Sequence, residues 1–426
     1  MKKLRFILLC AFLIVFSLAL TSCTLFSDDD IKVSNKYVPY VESEDAGGIY
    51  AGNVKAKEIE GLPNVYCFKS IGYANNDTVL NTYKTTGANY NGYQVNNNED
   101  YFGNTTKNNY DLYVPSNLNK NVKNTVILFI HGGAWISGFK TDVNEYVHEF
   151  AKTGYISATL KYTLLNKDMN DNSLSIFRNL DEIDSCIKSI KEVLVNDLGF
   201  DSTKLNLVIG GASSGAHLAM LYSYSRGEAS ALPIKFVIDA VGPVDIKTYS
   251  WKKFIVESDS VLDAGLSKSA IAAQEANSNL APIKVSGESY TWNDYQTMRI
   301  ANGMCGLPFT VSQVEASTDS DKEYITNPNT ASNSLLGTNG GEDLLSVTYW
   351  INKNSYDYPI ICAYAGKDRV VGINQYAVLE NALISNGITY DYVYFRNSNH
   401  TDISAEFDST SYNSLINKIK TWCNNI

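Results

Sequence analysis

Two continuous apolar runs limit what this chain can fold into. Thr125–Ile130 (TVILFI) and Leu205–Ile209 (LNLVI) present no polar face. Strands of this kind must be covered on both sides, the condition met inside a mostly parallel sheet with helices on each face. Further strand patterns fall at Asn64–Tyr73, Tyr110–Val114, Tyr155–Tyr162, Ile234–Val241, Pro359–Tyr364 and Tyr390–Phe395. Between them, residues 174–196 bring Leu180, Ile183, Ile187, Ile190 and Leu194 onto one face at helical spacing. Ser214–Tyr224, Gln375–Ser385 and Tyr412–Cys423 also read as helices. The alternation predicts an α/β fold, a mostly parallel central sheet flanked by helices.

The chain of 426 residues is 44% hydrophobic, enough to bury a large core and to exclude wholesale disorder. Its net charge is −10, with no Lys/Arg cluster, which argues against a nucleic-acid partner. Cations gather only at the start. Lys2, Lys3 and Arg5 precede an apolar run, Phe6–Leu20, that fits a secretory leader better than a membrane span. Leu20-Thr21-Ser22-Cys23 resembles the bacterial lipobox, in which the cysteine is lipidated and becomes the new N-terminus. Residues 1–22 are therefore expected to be a lipoprotein signal peptide and Cys23 the lipid anchor. That places the protein outside the cytoplasm, tethered to a bacterial membrane; the alternative is an uncleaved N-terminal anchor.

Residues 23–60 read as tether and lead-in, 61–247 and 346–426 as the two parts of the core, and 248–345 as an inserted cap. The insertion lacks a strand–helix rhythm and carries Trp251, Trp292 and Met304, and a structureless loop of that length is implausible. Residues 74–109 are Asn-rich and read as a long loop or ragged hairpin. Five cysteines remain beyond Cys10 and Cys23, with no metal-ligand spacing. They would permit one disulfide or stay as buried thiols.

Each apolar run leads into a turn with chemical character. Leu205–Ile209 runs into Gly211-Ala212-Ser213-Ser214-Gly215 and then a helix, the strand–turn–helix setting of a nucleophile elbow. Thr125–Ile130 runs into His131-Gly132-Gly133-Ala134-Trp135, whose glycines leave backbone N–H groups uncovered to hold an oxyanion. The amide after the nucleophile, on Ser214, would add a further donor.

HGGAW followed some 80 residues later by GASSGAH resembles the α/β-hydrolase esterases and lipases. The nearest groups are the hormone-sensitive-lipase-like carboxylesterases and the esterases that deacylate plant polysaccharides. The resemblance spans Tyr110–Ile246 and Tyr358–Cys423. It implies a Ser-His-Asp triad in the order Ser, acid, His. Gly366-Lys367-Asp368-Arg369-Val370-Val371 resembles the family's acid loop, with Asp368 as the acid and Asp402 and Asp391 as alternatives. Asn399-His400 resembles its histidine loop. Only His217 and His400 lie beyond Ser213, and His217 sits one turn into the helix behind the elbow, which leaves His400.

On this reading Ser213 attacks an ester carbonyl, His400 moves the proton, and Asp368 fixes the imidazole tautomer. Amides of Gly133, Ala134 and Ser214 hold the oxyanion while Gly132 shapes the loop, and no metal or organic cofactor is required. His131 and His217 are expected to be structural and His148 a solvated helix residue. Trp135 either lines a pocket or packs the loop. The chain departs from the family by Ser214 in place of the usual Ala and by the long interval from Ser213 to Asp368. The expected substrate is a short acyl ester or an acylated carbohydrate. A peptidase of the same fold and a non-catalytic binding lipoprotein are the competing readings.

Overall fold

The computed structural model describes residues 49–51, 54–59, 61–74, 108–135, 138–164, 176–245, 345–368 and 370–426. The leader, Cys23, the centre of the Asn-rich segment and the insertion up to residue 344, with Trp251, Trp292 and Met304, lie outside the described residues.

Eleven strands and six α-helices appear among them. The strands are β1 (Tyr50–Ala51), β2 (Val54–Lys55), β3 (Lys57–Ile59), β4 (Leu62–Ala74), β5 (Asn108–Pro115), β6 (Asn124–Ile130), β7 (Ile156–Leu160), β8 (Leu205–Ala212), β9 (Ile234–Ala240), β10 (Ile360–Ala365) and β11 (Tyr390–Phe395). The helices are α1 (Asn144–Lys152), α2 (Ile176–Glu192), α3 (Ser214–Arg226), α4 (Val347–Lys353), α5 (Ile373–Ser385) and α6 (Ser409–Asn424).

Nine strands form one sheet in the order β11-β10-β9-β8-β6-β7-β5-β4-β3, and β1 and β2 form a separate antiparallel pair. From β11 to β7 every neighbouring pair is parallel; β5, β4 and β3 extend the sheet antiparallel. β6 and β8 are buried along nearly their whole length, as their unbroken apolar sequences require.

Two apolar layers cover the sheet. One face receives Leu180, Ile183, Ile187, Ile190 and Leu194 from α2 and the region after it, Leu218 and Leu221 from α3, and Leu379 and Leu383 from α5. The other face receives Val147 and Phe150 from α1 and Leu415, Ile416 and Ile419 from α6. The stripe read at helical spacing on α2 is thus the stripe that packs.

The chain leaves β6 for β7 on one side and returns to β8 on the other. The β6/β8 boundary is therefore a switch point in strand order, where open α/β sheets form a crevice at the carboxyl ends of the strands. Both turns with chemical character leave the sheet there.

Several expectations need correction. His148 is not a solvated helix residue: its ring packs edge-on against Tyr113 at a centroid distance of 4.9 Å, and burial lowers its pKa to about 4. Asn108 and Asn109, read as loop, belong to β5 and pair with Ala74 and Gly72 across two irregularities in the register. Lys57–Ile59, read as lead-in, adds β3 to the sheet edge. β7 ends at Leu160, one bond short of the last tie to β5 (Lys161 N–H to Asn109 O, 2.9 Å), and Thr163 then turns to α2. The described cysteines Cys67, Cys186, Cys362 and Cys423 are buried free thiols.

Candidate active site

Ser213 follows β8 directly and caps α3. Its backbone stands at φ 54° and ψ −124°, a conformation that costs a non-glycine residue about 1–3 kcal/mol. Two backbone bonds hold it there, Ser213 N–H to Ala240 O at 2.8 Å and His217 N–H to Ser213 O at 3.1 Å. The flanking glycines follow from contact. A Cβ on Gly211 would lie 2.5 Å from the Gly215 carbonyl carbon, and one on Gly215 would lie 2.2 Å from Ile130 O. A side chain at either position would push α3 away from β6 and take the serine with it.

The loop after β11 brings His400 over the elbow, and the loop after β10 brings Asp368 behind it. His400 Nε2 is 2.8 Å from Ser213 Oγ, and His400 Nδ1 is 2.7 Å from Asp368 Oδ2. Asp368 Oδ1 accepts from the amides of Val370 and Val371, both at 2.8 Å. The Asp368 side chain has 0% exposure and that of His400 15%, so the acid is sealed while the base remains reachable. The structure brings together the three residues expected from the sequence. It places the alternative acids elsewhere: Asp391 pairs with Lys418 at 2.7 Å, and Asp402 accepts from Asn399 within its own turn. A carboxylate on Nδ1 keeps that nitrogen protonated, which leaves Nε2 free to accept the serine proton.

Opposite the elbow, the turn after β6 carries three successive positive φ angles: Gly133 at 115°, Ala134 at 52° and Trp135 at 62°. Two of these residues carry a Cβ, so the turn is strained and held by its surroundings. Gly132 lies against the nucleophile, with a Cβ there only 3.0 Å from the Cβ of Ser213. Ser214 occupies the first position of α3, so its amide has no intrahelical acceptor and sits at the positive end of the helix. At the loop exit Lys140 binds Ser70 Oγ, Asn109 Oδ1 and Asp111 Oδ1 at 2.7, 2.5 and 2.9 Å, tying the turn to β4 and β5.

Of the two roles expected for Trp135, packing is the one seen. It is buried and meets the His217 ring edge-on at 5.3 Å. His217 Nε2 donates to Leu345 O at 2.7 Å, and burial lowers its pKa to about 4. His131 Nδ1 lies 2.7 Å from Gly132 O, and burial again lowers its pKa to about 4. A carbonyl can only accept, so His131 is the neutral Nδ1–H tautomer. Both histidines are structural.

Sequence reasoning passed over two groups beside the site. Asp239 directly follows the apolar run 236–238 of β9 and lies next to Gly211, a visible signal. Its Oδ1 accepts from Gly242 N at 2.8 Å, and its Oδ2 lies 2.7 Å from Tyr364 Oη, which is also 2.7 Å from Gly242 O. One phenol proton cannot serve both acceptors fully. A protonated Asp239 completes the set by donating to Tyr364, which then donates to Gly242. Burial, opposed by these hydrogen bonds, raises the Asp239 pKa to about 7. The network steadies Val241, at φ 51°, just beyond the Ala240 carbonyl that holds Ser213.

The unfolded chain releases this proton near pH 4 and the folded chain near pH 7. The stabilisation from proton binding is complete below pH 4 and is lost as the pH rises to 7. Asp239→Asn, which can make the same contacts without ionising, should gain relative to the parent between pH 4 and pH 8, by up to about 4 kcal/mol. Urea unfolding of both proteins at the two pH values measures this; an equal difference at both would refute it.

The second group lies beneath the turn after β7. Thr163 donates to Glu182 from N at 2.7 Å and from Oγ1 at 2.5 Å, and its carbonyl accepts from Asn179 at 2.7 Å. Glu182 also accepts from Asn108 Nδ2 at 2.7 Å and pairs with Arg178 at 3.1 Å, both side chains of that pair being fully buried. These contacts hold Thr163 against α2, just beyond the last bond to the sheet, Lys161 N–H to Asn109 O at 2.9 Å. Their signal in the sequence was slight: Arg178 and Glu182 are four apart on a helix, a spacing usually found at a solvated face.

The BD-FAE family model matches residues 110–303, a stretch that holds the elbow and the loop His131–Trp135. The chain is 30% identical over 118 residues to the isoprenylcysteine alpha-carbonyl methylesterase ICME of Arabidopsis thaliana. That similarity covers 28% of this chain and spans a quarter of the length of the plant protein. Solved structures similar to this one include a C6-C4 SN3 inhibited esterase B from Lactobacillus rhamnosis, with 14% identity, 81% of this chain and 94% of that one covered, and a TM-score of 0.45. They also include a thermophilic esterase from Thermogutta terrifontis, with 14% identity, 78% and 92% coverage and a TM-score of 0.45. The mostly parallel sheet with helices on both faces is an α/β-hydrolase fold, and the family match falls on the part of it that carries the elbow.

Proposed function

We propose that this α/β-hydrolase cleaves carboxylic esters through an acyl-enzyme on Ser213. The observation that carries the reading is the unbroken relay from Asp368 Oδ2 to His400 at 2.7 Å and from His400 to Ser213 Oγ at 2.8 Å, set on a strained elbow. His400 Nε2 takes the hydroxyl proton as Ser213 Oγ bonds to the carbonyl carbon. The carbonyl electrons move to oxygen, and the amides of Gly133, Ala134 and Ser214 receive that charge. When the tetrahedral intermediate collapses, His400 returns the proton to the departing alcohol. Water then repeats the sequence on the acyl-enzyme, with His400 as base. Asp368 holds the imidazole in the tautomer that both steps need.

The substrate class is a short acyl ester or an acyl group on a carbohydrate. The basic start, the apolar run Phe6–Leu20 and Cys23 favour a lipid-anchored protein on the non-cytoplasmic face of a bacterial membrane.

Hydrolysis of nitrophenyl esters from acetate to palmitate tests the reading. The parent should turn over the short members, and Ser213→Ala and His400→Ala should each lower kcat by about 10⁴-fold or more. Folded protein with no turnover on any ester would favour the binding-module reading, and activity surviving Ser213→Ala would overturn the assignment of the nucleophile.

A further inference from the structure

We propose that Tyr162 is a positioning residue of the oxyanion hole, locking the loop His131–Trp135 against the nucleophile elbow. The inference rests on the hydrolase reading above and deepens it.

The chain of contact starts at α2. Glu182 and Asn179 grip the N–H, hydroxyl and carbonyl of Thr163, so the residue before it has little freedom. That residue is Tyr162, at 1% exposure. Its ring stacks on the His131 imidazole at a centroid distance of 4.4 Å and an interplanar angle of 12°. Its hydroxyl points to His131 O at 3.4 Å, long for an O–H···O bond, so the stack is the stronger contact. The buried Ser214 hydroxyl lies beside the phenol, close enough to act on its ionisation but without an aligned hydrogen bond. One aromatic ring thus touches the loop on one side of the hole and borders the elbow on the other.

The plane of the His131 ring matters because Nδ1–H donates to Gly132 O at 2.7 Å. A trans peptide directs its C=O and N–H in opposite senses. Fixing the Gly132 carbonyl toward His131 therefore fixes the direction of the Gly133 N–H, the first of the loop's oxyanion donors. If the Tyr162 ring is lost, the imidazole can tilt, the Gly132–Gly133 peptide can rotate, and the donor leaves its line. His131 is neutral, so the contact is ring on ring and insensitive to pH in the working range.

The effect should appear in the transition state and not in substrate binding. Tyr162→Phe keeps the stack and should retain kcat on nitrophenyl acetate within about threefold. Tyr162→Leu removes it and should lower kcat about 100-fold with KM within about twofold, the scale of losing one oxyanion donor. An aryl trifluoromethyl ketone adds to Ser213 and places a full oxyanion in the hole. Its Ki should rise in Tyr162→Leu by the same factor by which kcat/KM falls, and should be nearly unchanged in Tyr162→Phe.

Equal losses in both variants, or a kcat in Tyr162→Leu within threefold of the parent, would overturn the inference. So would a loss confined to KM. If Tyr162→Leu does not fold, Tyr162→His, which keeps a flat ring, must retain kcat within about tenfold; a 100-fold loss there with native circular dichroism would also overturn it. A parent that neither hydrolyses esters nor binds the ketone removes the hydrolase reading and this inference with it. An active parent with unaffected variants removes this inference alone.

Discussion

Replacing Asp368 by Asn should lower kcat by about 10⁴-fold with little change in KM. The size of the effect comes from the way the carboxylate is held. Two amides, Val370 and Val371, donate to Oδ1 at 2.8 Å, so an asparagine will turn its oxygen toward them. Its NH₂ group then faces His400 Nδ1, which must become an acceptor. The ring proton moves to Nε2, and that nitrogen can no longer take the proton of Ser213. The shape of the site survives while its chemistry stops. Asp391→Asn is the control, since that acid pairs with Lys418 on the surface of α6, and its kcat should stay within twofold of the parent. Initial rates on nitrophenyl acetate, with circular dichroism to verify folding, decide the matter. A comparable loss in both variants would place the acid elsewhere.

The second large effect concerns stability. Glu182→Ala should destabilise the fold by about 3–5 kcal/mol, because it removes a carboxylate paired with the fully buried Arg178 guanidinium. It also takes the acceptor from Thr163 and Asn108 at once. The same helix supplies the contrast. Lys188 and Asp184 form an i,i+4 pair at 2.6 Å, with the lysine side chain 57% exposed, and Lys188→Ala should cost no more than about 0.5 kcal/mol. Two ion pairs of the same sequence spacing differ several-fold because water screens only one. Urea midpoints of the two variants test this directly; equal shifts would contradict it.

That pair also shows where sequence reading stops. The apolar stripe of α2 was legible because periodicity reports which face is buried. Arg178 and Glu182 lie on the other side of the helix from that stripe, at its first turns, where residues 176–183 are buried all round, and nothing in a single sequence separates a buried i,i+4 pair from an exposed one. The strands β6 and β8 were legible because an unbroken apolar run has few other uses. The elbow and the loop after β6 were legible because each follows such a run and each contains glycines where backbone approaches backbone. Asp368 and His400 were reached through resemblance and the scarcity of histidines, not through periodicity, since they sit in loops whose course depends on tertiary contacts. His148 was misjudged because a lone histidine in a helix reads as solvated, whereas Tyr113 on the adjacent strand covers the ring. Tyr162 carried no signal at all: one tyrosine among 29 becomes meaningful only through the ring it stacks on.

The central claim is that Ser213 forms the covalent intermediate. The most direct test is reaction of the purified protein with a nitrophenyl alkylphosphonate, followed by peptide mapping. One phosphonyl group per chain is expected, on Ser213, with loss of ester hydrolysis in proportion to labelling and no labelling of Ser213→Ala. Label on another residue, or full hydrolysis by a chain that takes no label, would contradict it.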